Sequence, residues 1–187
     1  MVRVGFIVEG NSEKIIVESD GFRAFLHENG YELVSPVVDA QGGGNLLPHN
    51  IEVYLDVLRG KELQHIFILT DLEDEPVVDD VRERVEHNDI SFSFIAVKAL
   101  EAWYLADSQA MNSWLKITDF HEQYPENTPS KPWDRLKEIA LEQGKPGPGS
   151  KVTFAKKIVK RHNFTVQSAS QHENCNSAKE LVDYFIE

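Results

Sequence analysis

The chain has 187 residues, of which 41% are apolar, and a single cysteine, Cys175. This composition fits one globular domain with a hydrophobic core, and it excludes a disordered chain, a disulfide framework and a membrane span, which needs about 18 consecutive apolar residues. The formal net charge of −12 at pH 7 argues against a protein that binds nucleic acid by overall electrostatic attraction. Since the N-terminal residues also lack the layout of a signal peptide, we expect a cytoplasmic protein.

The first hundred residues are predicted to alternate strands and helices. Runs rich in β-branched and aromatic residues, such as VRVGFIV at residues 2–8, favour buried strands, whereas Asn11 or Ser12 can cap a helix that ends near Gly30. The predicted strands are residues 2–8, 31–40, 65–71 and 90–99, and the predicted helices are residues 11–30, 46–60 and 76–88. This alternation is typical of βαβ units and predicts a mainly parallel α/β sheet of about four strands covered by helices.

After residue 100 the pattern becomes helical. The predicted helices are residues 100–115, 132–144, 153–164 and 177–187, and the loops between them are rich in proline and glycine. We therefore expect an α/β core over residues 1–107 and a helical extension over residues 108–187 that packs on this core.

Acidic residues follow three of the predicted strands. Glu9 ends the first strand, Asp71 ends the third and Glu101 follows the fourth. Because ligands of parallel sheets bind at the carboxyl ends of the strands, we expect Glu9 and Asp71 to share one edge, with Glu73 beside them. Carboxylate oxygens suit Mg²⁺ or Mn²⁺, and a two-metal site would activate a water and stabilise the leaving oxygen in phosphodiester cleavage.

The stretch LTDLEDEP, residues 69–76, places four carboxylates in five positions, namely Asp71, Glu73, Asp74 and Glu75. Like charges this close repel one another, so either water screens them on a loop or a cation lies among them. For Asp74 and Glu75 the alternative to a metal site is a solvated helix N-terminus, where the helix dipole favours carboxylates. Glu13 is interpreted in the same way, as a residue in the first turn of a helix.

Three stretches resemble motifs of the TOPRIM domain and its relatives. FIVEGNSEK, residues 6–14, resembles the first motif, in which a strand is followed by glutamate, glycine and a helix. FILTDLED, residues 67–74, resembles the second, an Asp-x-Asp at a strand end, although this chain has Asp-x-Glu with a further aspartate at position 74. Either Glu73 or Asp74 is therefore the second acidic residue of the motif. VKALEAWYLAD, residues 97–107, resembles a motif of small TOPRIM-like bacterial proteins that are often encoded beside ATPases and linked to anti-phage defence.

This resemblance implies a compact, Rossmann-like TOPRIM fold that binds Mg²⁺. Topoisomerases and primases need further domains for which the chain is too short, so the nucleases of the overcoming-lysogenization-defect (OLD) type are the closest functional match. The resemblance implies that Glu9 is a metal ligand or general base and that Asp71 and Glu73, or Asp74, are metal ligands. It also implies that Glu101 is a ligand for a second metal.

Residues 149–164 are the only strongly basic stretch. Its cations are Lys151, Lys156, Lys157, Lys160 and Arg161. A nuclease needs a cation near the scissile phosphate, and Lys151 is the best candidate, partly because OLD-type nucleases place a lysine downstream of the acidic motifs. The alternative for the whole stretch is a solvated helix face without a ligand.

The leading hypothesis is a Mg²⁺- or Mn²⁺-dependent TOPRIM-type nuclease, an enzyme that cleaves phosphodiesters in DNA or RNA and works with an ATPase partner in anti-phage defence. One alternative is a non-catalytic TOPRIM-like adaptor that regulates a partner ATPase. A second alternative is a phosphatase or phosphotransferase that acts on small molecules. The QGGGN loop at residues 41–45 is interpreted as a flexible connector. The aromatic residues Trp103, Tyr104 and Trp114 are interpreted as core residues.

Overall fold

The computed structural model describes residues 1–186, so the last residue of the helix predicted over 177–187 lies outside the described part. Within it, five strands form one sheet, and every strand pair is parallel. The strands are β1 (Val2–Val8), β2 (Tyr31–Leu33), β3 (Val38–Asp39), β4 (His65–Asp71) and β5 (Phe92–Ala96). Their order is β2-β1-β4-β5, with β3 also paired to β1. The predicted mainly parallel α/β sheet flanked by helices is confirmed.

Ten α-helices and two short 3-10 helices surround the sheet in the described residues. The α-helices are α1 (Asn11–Val17), α2 (Asp20–Glu28), α3 (Glu52–Leu58), α4 (Val78–Arg84), α5 (Glu101–Ala106), α6 (Ser108–Leu115), α7 (Pro132–Glu142), α8 (Lys151–His162), α9 (Val166–Ser170) and α10 (Asn176–Ile186). The 3-10 helices are Gly43–Leu46 and Pro125–Asn127. No helix among residues 1–186 is long and apolar enough to cross a membrane.

Two segments that were each predicted to be one helix form two helices in the structure. The predicted helix 11–30 breaks after Val17, because the Ser19 side chain accepts a hydrogen bond from Phe22 N at 3.2 Å and caps α2. The predicted helix 100–115 breaks at Asp107, whose carboxylate accepts from Ala110 N at 3.0 Å and caps α6. Helix α9, capped by Thr165, was not predicted, since its five residues are too few for a clear apolar period.

The segment predicted as one strand, residues 31–40, also forms two elements in the structure, β2 and β3. Pro36 has no N–H to donate to the ladder and separates β2 from β3. Both short strands pair with β1, Val2 opposite Tyr31 and Ile7 opposite Val38. The predicted flexible connector at residues 41–45 overlaps the first 3-10 helix, Gly43–Leu46.

A layer of buried phenylalanines on one face of the sheet joins strands to the last helix. Phe6, Phe67 and Phe94 come from β1, β4 and β5, and all three are fully buried. Phe185 of α10 lies across them, with ring centroids 5.3 Å from Phe67 and 5.8 Å from Phe94. Each aromatic pair of this kind adds about 0.5–1.5 kcal/mol beyond the burial of its area. Helices α2 and α10 therefore fix this face, while α3 covers the opposite face through Leu55 and Leu58.

Candidate active site

The pairing of β1 with β4 brings the first two acidic residues together. Val8 lies opposite Leu69, and Glu9 N donates to Leu69 O at 3.0 Å. Glu9 Oε2 then accepts hydrogen bonds from Asp71 N, at 3.0 Å, and from the hydroxyl of Thr70. The expected convergence of Glu9 and Asp71 at one edge of the sheet is what the structure shows.

The third acidic residue is held at the same edge by Asp71 itself. Asp71 Oδ1 accepts from Leu100 N at 2.8 Å, which fastens the start of α5 to the end of β4. Glu101, the next residue, is only 2% exposed. Its Oε1 lies 3.0 Å from Lys151 Nζ, whereas its buried Oε2 has no hydrogen-bond partner. A buried carboxylate oxygen without a partner is unfavourable, so this atom marks a place where a ligand would improve the structure.

A fourth carboxylate, Glu13, belongs to this group and was missed as a functional residue. It is 6% exposed and lies on the buried face of α1 with Ile16 and Val17. Burial raises the pKa of Glu13 to about 7, with a further contribution from the charges of Glu9 and Glu101. The spacing of Glu13, Ile16 and Val17 was the available signal, because residues three and four apart share one helix face. A carboxylate on the apolar stripe of a helix is seldom a solvated first-turn residue.

The four carboxylates, named here the acidic cluster (Glu9, Glu13, Asp71 and Glu101), carry more negative charge than their surroundings balance. Burial raises the pKa of Asp71 well above its ordinary value, and the charges of Glu13 and Glu101 add to the effect. Burial alone would lower the pKa of Lys151, but the charges of Glu101 and Asp71 raise it above its ordinary value. One ammonium group therefore serves several carboxylates, and a further cation would relieve their repulsion.

The donor atoms of the acidic cluster fit a hard divalent cation. All of them are carboxylate oxygens, which Mg²⁺ and Mn²⁺ prefer, and the unpartnered Glu101 Oε2 is a ligand atom in need of a partner. As arranged here, however, no three His, Cys, Asp or Glu side chains among residues 1–186 form a group that could hold a metal ion. The chemistry of the donors thus fits the metal, while binding would require some of these side chains to turn.

Glu73 and Asp74 lie at the mouth of the site and are exposed. Glu73 has a left-handed backbone with φ 54°, and its N–H donates to the carbonyl of Lys98, itself left-handed with φ 62°, at 2.8 Å. Such conformations cost roughly 1–3 kcal/mol each in residues other than glycine. Asp74 Oδ2 lies 3.2 Å from Lys131 Nζ. Helix α4 begins only at Val78, so Asp74 precedes its first turn and the helix-dipole alternative does not apply.

A cavity of about 170 Å³ adjoins the acidic cluster. Its wall includes Pro132 and Trp133 at the start of α7, and three lysines border it. These lysines are Lys98, which donates to the Thr128 carbonyl at 2.8 Å, Lys131 and Lys151. Sequence reasoning missed Pro132, Trp133 and Lys131, because only the path of the loop before α7 brings these residues to the end of the sheet. It also missed Lys98, although this residue directly follows β5.

The predicted basic stretch is divided by the structure. Lys151, the first residue of α8, contacts the acidic cluster, whereas Lys156 and Lys160 line a separate groove between α8 and the start of α2. Lys157 and Arg161 lie near His162, whose pKa is lowered mainly by burial and further by these two charges. The five cations therefore do not form one patch at the acidic cluster, and their role in nucleic-acid binding stays a prediction.

Three aromatic residues near the site agree with their interpretation as core residues. Trp103, Tyr104 and Trp114 are buried core residues. The hydroxyl of Tyr104 is buried without a hydrogen-bond partner, and burial together with the charge of Glu101 raises its pKa well above the ordinary value. The 3-10 helix passes over Glu9, since a Cβ at Gly43 would lie 3.4 Å from Glu9 Oε1. A Cβ there would make ordinary van der Waals contact with the carboxylate.

Comparison with known proteins finds similar solved structures but no matching protein family. No model of a known protein family matches the chain, and no curated protein is significantly similar to it. The C-terminal region of the Burkholderia pseudomallei OLD protein is similar at 15% identity and a TM-score of 0.46, over 100% of both chains. The C-terminal region of the Xanthomonas campestris pv. campestris OLD protein is similar at 16% identity and a TM-score of 0.43, over 98% of both chains. No function is transferred at this level of similarity, so the functional argument rests on the side chains of the site.

Proposed function

We propose that this protein is a Mg²⁺- or Mn²⁺-dependent nuclease that hydrolyses phosphodiesters in DNA or RNA. The observation that carries the proposal is the acidic cluster at the carboxyl edge of the sheet. Burial raises the pKa of Glu13 and Asp71 in this cluster, and the buried Glu101 Oε2 has no hydrogen-bond partner. Strongly shifted pKa values at the edge of a cleft are typical of functional sites.

The residues of the cluster have separate roles in this proposal. Glu9, Asp71, Glu13 and Glu101 would hold the divalent cation, with Glu73 and Asp74 at the mouth of the site available to a second. When bound, such a cation activates a water and stabilises charge on the phosphate. Lys151, whose side chain is 51% exposed, would donate a hydrogen bond to a non-bridging phosphate oxygen and offset the charge that gathers there.

The proposal extends to partners only through the sequence motifs. With a net charge of −12, the protein would bind nucleic acid through the lysines near the cluster and on α8. An ATPase partner and a role in anti-phage defence are proposed from the resemblance to TOPRIM-like bacterial proteins.

The test is a cleavage assay with labelled DNA and RNA in which Mg²⁺ or Mn²⁺ is titrated. We expect metal-dependent cleavage by the wild type, and a loss of at least about 100-fold in Glu9→Gln and Asp71→Asn, which remove charge while preserving shape. Glu75→Gln is the matched control, because Glu75 lies in the loop that directly follows Asp71 but pairs with Arg84 at 2.8 Å. Cleavage that survives both substitutions would remove the proposed site.

One observation favours the non-catalytic adaptor as a second candidate. The ammonium group of Lys151 already neutralises part of the cluster, and the carboxylates are not arranged around a common point. The adaptor predicts co-purification with an ATPase that is unaffected by Glu9→Gln and Asp71→Asn, with no cleavage under any metal condition. The nuclease predicts the opposite result in the cleavage assay.

A further inference from the structure

We propose that the cavity beside the acidic cluster receives one unpaired nucleobase, which stacks on Trp133, so that the substrate is single-stranded or has a frayed end. This inference rests on the proposed nuclease function and specifies its substrate. The cavity lies between the loop after β4, the turn before α5 and the start of α7.

The size of the cavity selects a single base. Its volume is about 170 Å³, and an apolar cavity of about 150 Å³ in another protein accepts one benzene ring. One pyrimidine ring therefore fits, whereas a base pair does not. A base can enter only from a strand that is already unpaired or easily opened, and enzymes that bind extruded bases act most readily on such strands.

The aromatic wall has the properties of a stacking platform. Trp133 is only partly buried, whereas Trp103 is fully buried and Trp114 is 7% exposed. The ring of Trp133 packs edge-on against Phe154, with centroids 6.1 Å apart and an interplanar angle of 68°, so its orientation is fixed by the core. Pro132 extends the apolar surface beside it. Lys137 Nζ lies over one face of this ring, 5.7 Å from its centroid, so a stacked base would use the opposite face or displace this flexible side chain. Stacking of this kind has no strong preference for sequence.

Three ammonium groups at the rim can bind the phosphates on either side of the base. Lys98, Lys131 and Lys151 now contact the Thr128 carbonyl, Asp74 and Glu101. The lining also contains five carboxylates, Asp71, Glu73, Asp74, Glu101 and Asp134. Without a divalent cation the lining is therefore net negative and repels a phosphate, so entry of a nucleic acid should depend on the metal.

The backbone of the cavity wall is strained at two positions. Glu73 and Lys98 both border the cavity, both have left-handed backbones, and the N–H of Glu73 donates to the carbonyl of Lys98. Strained conformations of this kind persist where the surrounding structure holds them, and they cluster at ligand sites. This hydrogen bond holds the loop after β4 against the turn before α5, and the two segments together form one wall of the cavity.

Binding is tested with dye-labelled oligothymidylate, with Ca²⁺ in place of Mg²⁺ to hold the strand uncut. Fluorescence anisotropy gives the affinity. We expect Trp133→Ala to bind about 5- to 100-fold more weakly, the effect of removing a stacked aromatic residue, and Trp133→Phe to remain close to wild type. Tyr124→Ala is the matched control, because Tyr124 is 50% exposed and does not line the cavity.

Tryptophan emission separates stacking from a merely structural role. Oligothymidylate should quench the emission of the wild type in Ca²⁺ but not in EDTA, and the quenching should disappear in Trp133→Phe, which keeps the two buried tryptophans. Oligouridylate tests whether RNA enters in the same way, and a blunt hairpin duplex should not quench. Equal affinity of wild type and Trp133→Ala, or equal quenching by the duplex, would overturn the inference.

Cleavage in Mg²⁺ distinguishes this inference from the function on which it rests. If oligothymidylate quenches Trp133 but no strand is cut, the proposed nuclease fails and the cavity remains a nucleobase site. If cleavage requires Glu9 and Asp71 but proceeds equally within duplexes and in Trp133→Ala, the nuclease stands and the nucleobase cavity is wrong. Preferential cutting of single strands, lost in Trp133→Ala and kept in Trp133→Phe, supports both.

Discussion

Two acidic regions of the molecule use the same residue types with opposite electrostatic results. On the surface, Glu52, Asp56 and Asp89 surround Arg59, with its Nη2 2.7 Å from Glu52 Oε2 and 3.2 Å from Asp89 Oδ2. The hydrogen bond from Arg59 lowers the pKa of Glu52, with help from His87. The three carboxylates there share one guanidinium group, and all of them are exposed, so solvent screens their remaining charge.

At the edge of the sheet the acidic cluster has the opposite character. Burial and mutual repulsion raise the pKa of Glu13 and Asp71, and Lys151 is the one ammonium group in direct contact with the cluster among the described residues. A fold that needed only stability would place apolar side chains there. The difference teaches that the burial of acidic residues, more than their number or the number of cations beside them, separates a solvated surface from a site that binds a ligand.

The largest effect is expected from Glu13→Gln in EDTA. A pKa raised in the folded state from 4.5 to about 7 means that the folded protein holds this proton more tightly than the unfolded chain. The contribution of Glu13 to stability is therefore complete below pH 4.5 and is lost as the pH rises through 7, by about 3 kcal/mol. Glu13→Gln should be more stable than wild type at pH 8, and the difference should vanish near pH 4 in thermal melts.

The surface region provides the control for that experiment. The pKa of Glu52 is lowered, so Glu52 contributes stability above its ordinary pKa that is lost as the pH falls. Glu52→Gln should thus be less stable than wild type at neutral pH and equal to it in acid. The same pH dependence in Glu13→Gln and Glu52→Gln would break the comparison between the two regions.

The next effect is stabilisation by Mg²⁺. A ligand at 100 times its dissociation constant raises the free energy of unfolding by about 2.7 kcal/mol. We therefore expect Mg²⁺ to raise the Tm of wild type and of Glu75→Gln, measured by calorimetry. The Tm of Asp71→Asn should hardly change. A rise that is equally large in Asp71→Asn would place the bound metal away from the acidic cluster.

The smallest effect is expected at Arg59. Because Arg59 and its partners are exposed, Arg59→Met should lower the Tm only slightly, and high salt should reduce the difference further. Lys151→Met should lower it more, since Glu101, 2% exposed, would lose its ion-pair partner. If Arg59→Met were the more damaging substitution, burial would not be what distinguishes the two regions.

The sequence predicted those parts of the site that follow from the ends of strands. Glu9 and Asp71 could be placed together because parallel neighbours end at one edge of a sheet. Glu101 followed from the next strand. These inferences needed only the order of the elements and the side-chain chemistry.

The remaining parts depend on tertiary packing. Glu13 joins the cluster because Ile16 and Val17 turn its face of α1 toward the core. Lys131 and Trp133 lie at the start of α7, roughly 60 residues after the end of β4. No local sequence pattern indicates that this part of the chain folds back to the edge of the sheet. The same limit applies to Lys156 and Lys160, whose basic character was evident but whose groove is formed with α2, far away in sequence.

The position of Phe185 over Phe6, Phe67 and Phe94 has a consequence for synthesis of the protein. Roughly 80 residues separate the end of β5 at Ala96 from the start of α10 at Asn176. At translation rates of about 5–20 residues per second, the phenylalanine face of the sheet therefore lacks its α10 cover, though not that of α2, for about 4–16 s on the ribosome. We therefore expect truncations that remove α10 to expose this aromatic surface and to accumulate as insoluble material.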